Sequence, residues 1–141
     1  MIAYFDTSSI VPLVINEPST AACTRLWNAA EKVLSVPLLY PEARAAMARA
    51  QRMNRITEPQ MVVAVAELDL LFDELELIEV TTALARRAGV LAQVHSLRGY
   101  DAVHLAGATM RPDPELVFTT GDRDLANAAA TSGLAIAITR P

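Results

Sequence analysis

Met1-Ile-Ala-Tyr-Phe5 is an unbroken apolar run cut off by Asp6-Thr7-Ser8-Ser9. That pattern predicts a short buried parallel strand running into a helix N-cap. Ile10 to Val14 then reads as a short helix stopped near Pro18. Ser19 caps a second helix through about Ala30, with Ala22, Cys23, Leu26 and Ala29 or Ala30 at helical spacing. Lys32 to Val36 follows as a second strand. Pro41 suits the first turn of a helix running to Asn54, and Thr57-Glu58-Pro59 starts another that continues to about Glu74. The short Arg55-Ile56 joint makes these two an antiparallel hairpin, with Met47, Met53 and Met61 as its packing residues.

Leu77 to Val80 reads as a third strand, and Thr81 or Thr82 caps a helix ending near His95. Gly99-Tyr100-Asp101 opens the next helix, to about Met110. Arg111-Pro-Asp-Pro114 breaks the chain, Glu115 to Thr119 forms a fourth strand, Asp122 to Ser132 a helix, and Leu134 to Ile138 a last strand after Gly133. Strands separated by helices imply a mostly parallel central sheet with helices on both faces, an α/β fold of three α/β/α layers.

A length of 141 residues with 52% hydrophobic side chains is enough for one sizeable core, so residues 1–141 are expected to form a single domain. Only 5% of the residues are aromatic, which favours helices packed on a sheet over a β-sandwich. No apolar run approaches the roughly 20 residues that span a bilayer, and no secretory leader is visible, so a cytoplasmic protein away from membranes is expected. Cys23 is the only cysteine and reads as a buried thiol. A formal charge of −4 argues against tight nonspecific binding to nucleic acid. It leaves nucleic acid open as a substrate if several acids surround divalent cations in one pocket. Every basic residue except Lys32 is an arginine, the better side chain for bidentate phosphate contacts.

Asp6 follows the first predicted strand and Asp122 the fourth, placing both at the carboxyl edge of the sheet, where ligand sites of open α/β folds lie. Glu42 falls in the first turn of the helix after the second strand, and Asp101 opens the helix before the fourth. Each of these acids taken alone is explained by helix capping. Four converging without basic partners would repel one another unless a hard cation such as Mg²⁺ or Mn²⁺ bridged them. In phosphodiester cleavage such ions lower the pKa of an attacking water and stabilise the attacking and leaving oxygens.

The local sequence adds a resemblance. Asp6-Thr7-Ser8-Ser9-Ile10-Val11 after a leading strand resembles the D-T-S opening of PIN domains, and Asp101-Ala-Val-His-Leu-Ala106 resembles their D-A-x-H-L-A helix start. Thr120-Gly121-Asp122-Arg123-Asp124-Leu125 resembles their T-x-D-x-x-L segment, and Glu42 stands where the family carries an acid between the first and third motifs. The order and intervals match across nearly the whole chain, and its size is most similar to the VapC toxins of type II toxin–antitoxin pairs. The resemblance implies a PIN-like fold and a metal-dependent endoribonuclease using Mg²⁺, with Mn²⁺ as substitute. It makes Asp6, Glu42, Asp101 and Asp122 the metal ligands and Asp124 a candidate auxiliary acid. Thr120 would orient the acids, and Thr7 and Ser8 would assist or merely cap a helix. RNA as substrate, a small cognate antitoxin and a homodimer are likewise implied by the resemblance.

Arg49 is seven residues beyond Glu42, on about the same helix face, and is the candidate RNA phosphate contact. Arg44, Arg52 and Arg55 read as a solvated face, His104 as a packed histidine and His95 as a helix-terminal one. Trp27 fits either the core or a partner groove. An aspartyl-phosphate phosphatase would want a second acid where Ser8 stands, and a phosphoacceptor signalling domain would want a lysine near the phosphate, whereas Lys32 precedes a strand. A non-catalytic PIN-fold binding module would usually have lost one of the four acids, and all four are present.

Overall fold

A computed structural model of the chain describes residues 1–140. The elements in chain order are β1 (Ile2–Phe5), α1 (Thr7–Val14), α2 (Thr20–Ala29), β2 (Lys32–Ser35), α3 (Leu39–Arg52), α4 (Glu58–Glu74), β3 (Glu76–Leu77), α5 (Thr82–His95), α6 (Gly99–Thr109), β4 (Leu116–Thr120), α7 (Arg123–Thr131) and β5 (Ala135–Ile138). The strands form one sheet in the order β3-β2-β1-β4-β5, and every pairing is parallel.

Helix starts follow local chemistry. Thr57 and Gln60 form a reciprocal capping box at α4, and Thr81 caps α5 by accepting from the Leu84 N–H. α1 begins at Thr7, three residues earlier than the apolar pattern predicts, because extended Asp6 accepts from the Ser9 N–H and starts the helix there. Ser19 precedes α2 without capping it: its backbone is already helical and its side chain makes no cap bond. The adjacent Thr20 hydroxyl instead ties the loop, accepting from the Glu17 N–H and donating to the Pro12 carbonyl.

β3 is shorter and earlier than the predicted Leu77–Val80 strand. β2 ends at Ser35, and the last backbone bond on this side runs from the Ile78 N–H to the Ser35 carbonyl. Pro37 follows soon after and offers no donor, so residues beyond Ile78 have no ladder to join.

Alternation along β1 divides the core. Tyr4 points to one face, packing with Phe118 of β4, Leu105 of α6 and Leu84 of α5. Ala3 and Phe5 point to the other, with Ile10 of α1, Leu39 and Met47 of α3, and Leu68 of α4. Trp27 joins this second cluster with its ring edge-on to Phe5, 5.8 Å between centroids. Cys23 is buried. Strand order reverses direction between β1 and β4, which opens a crevice at their carboxyl ends.

Candidate active site

The two strands flanking that crevice each end in an acid. Asp6 follows β1 and caps α1; Asp122 follows β4 and caps α7 by accepting from the Asp124 and Leu125 N–H groups. Glu42 sits in the first turn of α3 and Asp101 in the first turn of α6. All four line one cavity of about 860 Å³.

Asp6 is buried, and hydrogen bonds fix both its oxygens. Oδ1 accepts from the Ser8 hydroxyl at 2.7 Å and the Ser9 N–H at 3.2 Å, while Oδ2 accepts from the Thr120 hydroxyl at 2.6 Å. Burial pushes the Asp6 carboxyl above its ordinary pKa, with His104 and these donors pulling the other way. Thr120 also accepts from the Asp122 N–H at 3.0 Å, so one hydroxyl spans two candidate ligands. Ser8 accepts from the Gly121 N–H at 2.7 Å, stitching the β4–α7 turn to α1.

Glu42 is held from the opposite side. Its Oε1 accepts from the Thr7 hydroxyl at 2.9 Å and lies 2.7 Å from His104 Nε2. A carboxylate only accepts, so Nε2 carries a proton. His104 Nδ1, 3.0 Å from the Tyr4 hydroxyl, accepts from it, and burial raises the Tyr4 phenol well above its usual pKa, which keeps it protonated. His104 is therefore a packed histidine, as its position predicts, and it orients a site acid as well.

Asp101 and Asp122 are not free of basic partners, contrary to the expectation of an unpaired acidic cluster. Arg98, just before α6, donates from Nε to Asp101 Oδ2 at 3.0 Å, and its Nη2 lies 3.8 Å from Asp122 Oδ2. Burial raises the Asp101 carboxyl; the bond and charge of Arg98 oppose this, and Asp122 adds to it. Sequence reasoning passed over Arg98, although its i,i+3 spacing from Asp101 was the available signal.

Arg49 lines the cavity with Arg98, Arg123 and Arg140. Arg55 does so too, pairing with Glu17 at 3.8 Å; its side chain is 52% exposed, in keeping with the solvated reading, although it lies past the end of α3. Arg44 keeps to that face, donating to the Tyr40 hydroxyl. Met53 is 56% exposed on the cavity wall rather than packed in the hairpin, because α3 ends just before it. Asp124 is not brought into this cavity. It lines a separate depression with His95, Ser96 and Asn127, two residues further round α7 than Asp122.

The model of the PIN domain family matches residues 3–130. The chain belongs to the PIN-domain family. A curated relative, ribonuclease VapC45 of Mycobacterium tuberculosis, is 38% identical over 136 residues, covering 96% of this chain and 94% of the relative. The crystal structure of M. tuberculosis VapC20, described as a sarcin-ricin loop cleaving toxin, superposes with a TM-score of 0.69 at 20% identity over the whole of both chains. VapBC2 from Rickettsia felis, bound to a DNA fragment from their promoter, gives a TM-score of 0.64 at 12% identity and 98% coverage of each chain. At these identities the two crystal structures speak for the fold.

The PIN family implies a divalent metal, and the donors suit one: four carboxylates and hydroxyls around one crevice make an all-oxygen set for a hard cation. Among the described residues no three His, Cys, Asp or Glu side chains stand close enough to share an ion as they are. The attraction of Arg98 to both Asp101 and Asp122 marks where positive charge is wanted. By their chemistry, though not by their present spacing, these oxygens suit a hard cation.

Proposed function

We propose that this PIN domain, a single unit over residues 1–141, is a metal-dependent endoribonuclease acting as the toxin of a toxin–antitoxin pair. The observation that carries this reading is the meeting of Asp6, Glu42, Asp101 and Asp122, from four separate elements, in one cavity with arginines around it. Similarity to VapC45 supports ribonuclease activity.

In this reading the four acids hold Mg²⁺, or Mn²⁺ in its place. A bound divalent ion lowers the pKa of an attacking water and offsets charge on the attacking and leaving oxygens. Thr120 and Ser8 keep Asp6 in one orientation, while His104, fixed by Tyr4, does the same for Glu42. Arg49 takes a phosphate oxygen of the RNA strand in the cavity.

A cognate antitoxin and a homodimer complete the reading. VapBC2 from R. felis supports the antitoxin as partner. So do the exposed apolar side chains of α4, with Val62 66% and Leu70 67% accessible. No helix among the described residues is long and apolar enough to cross a membrane.

The decisive experiment uses protein freed of any antitoxin. RNA cleavage should require Mg²⁺ or Mn²⁺ and stop with EDTA, and Asp122→Asn should lose both cleavage and Mn²⁺ binding. Cleavage persisting in EDTA, from a preparation proven free of contaminating nuclease, rejects the metal mechanism.

A further inference from the structure

Asp101 and Asp122 belong to different elements, α6 and the β4–α7 turn, and Arg98 is the cation drawn to both. Its Nε–H donates to Asp101 Oδ2 at 3.0 Å, and its Nη2 stands 3.8 Å from Asp122 Oδ2, close enough for charge attraction without a hydrogen bond. Asp122 Oδ1 is already engaged by two backbone N–H groups of α7. A divalent ion approaching Asp101 Oδ2 and Asp122 Oδ2 therefore meets the like charge of the Arg98 guanidinium at the same two oxygens.

The guanidinium is also free to leave. Its side chain is 65% exposed and rests on the Tyr100 ring, 4.9 Å from the centroid, at the cavity wall. Arg98 lies in the short link between α5 and α6, outside both apolar clusters, so its departure breaks no core packing.

We propose that Arg98 is a built-in counter-cation that competes with the divalent ion for Asp101 and Asp122, and so sets the metal affinity of the site. In the metal-free state it holds together two acids that would otherwise repel. On metal entry the guanidinium swings off the carboxylates toward the mouth of the cavity. Arg98 is thus a positioning residue acting through the acids. This rests on Asp101 and Asp122 being ion ligands, as in the proposed function.

Calorimetric titration of Mn²⁺ into wild type, Arg98→Gln, Arg123→Gln and Asp101→Asn at one ionic strength tests the two ideas separately. Arg123 lines the same cavity but makes no ion pair with any of the four acids, so its variant controls for loss of a positive charge. Arg98→Gln should bind Mn²⁺ about two- to fivefold more tightly than wild type, the range an exposed ion pair supports. Arg123→Gln should change affinity less, and Asp101→Asn should weaken it. Equal or weaker binding by Arg98→Gln overturns the competition, as does equal tightening by Arg123→Gln; Asp101→Asn then still reports on the ligand assignment. Unchanged affinity in Asp101→Asn overturns both. If Arg98→Gln melts early, Arg98→Met carries the test, since it removes the charge but keeps an apolar stem to rest on the Tyr100 ring: tightening there supports the competition, and none overturns it.

Discussion

His104 donates from Nε2 to Glu42 Oε1 across 2.7 Å, joining α6 to α3, while Tyr4 of β1 fixes the ring from behind. Tyr4→Phe removes the hydroxyl that makes Nδ1 the acceptor and leaves the packing volume nearly unchanged. The variant should lose about 1 kcal/mol of stability, a typical net hydrogen bond. RNA cleavage should fall about tenfold or more, as for groups that orient metal ligands. Thermal unfolding and cleavage assays on one preparation check both, and full activity with a loosened His104 would remove the relay from the mechanism.

The raised pKa of Asp6 has a consequence for stability in the absence of metal. The folded state holds the Asp6 proton more tightly than the unfolded chain does. The resulting stability is complete below the ordinary carboxylate pKa and is lost as pH rises through the raised folded value. Asn does not titrate, so the melting temperature of Asp6→Asn relative to wild type should climb as pH rises from the ordinary carboxylate pKa of about 4 through the raised folded value. The hydrogen bond that Asn forfeits shifts this difference by a constant and leaves its slope alone. A difference independent of pH would show that burial does not perturb Asp6.

Gly107 of α6 lies against the sheet beneath His104. A Cβ there would sit 2.8 Å from Val36 Cγ1 and 3.1 Å from the Tyr4 hydroxyl. Overpacking of this kind costs about 1–3 kcal/mol. Alanine's better helix propensity returns about 1 kcal/mol. Gly107→Ala should therefore destabilise the protein, and because the clash includes Tyr4 it should also lower cleavage. An equal or raised unfolding midpoint in urea would mean that Val36 and Tyr4 yield at no cost.

Arg49 lines the acidic cavity from α3, about two turns beyond Glu42. Arg49→Ala should weaken RNA binding several-fold at low salt, flatten its salt dependence by about one phosphate contact and leave the melting temperature unchanged. Filter binding over a salt series would check this; affinity and slope equal to wild type would remove Arg49 from the substrate path.

Local chemistry in the chain was enough to specify much of the frame. The Asp6 cap, the helix start at Thr57 and the apolar runs of β1 and β4 depend on neighbours within a few residues, and each formed near its predicted place. The three motifs and Glu42 likewise named the acids that line the cavity; for Asp6 and Asp122 the reason is local, because a strand end followed by a helix start sets an acid at the sheet's carboxyl edge wherever the strand lies.

Which strands neighbour each other, and hence what surrounds those acids, depended on contacts between distant parts of the chain. Only the β3-β2-β1-β4-β5 order puts Asp6 beside Thr120, 114 residues away. Where β2 stops decided the length of β3. The turn of α7 sent Asp124 away from the cavity into which Asp122 faces. The pairing of Arg98 with Asp122 was beyond the sequence for the same reason. Capping and periodicity are set by bonds within one turn or strand, whereas partners across a crevice are set by the packing of the whole sheet.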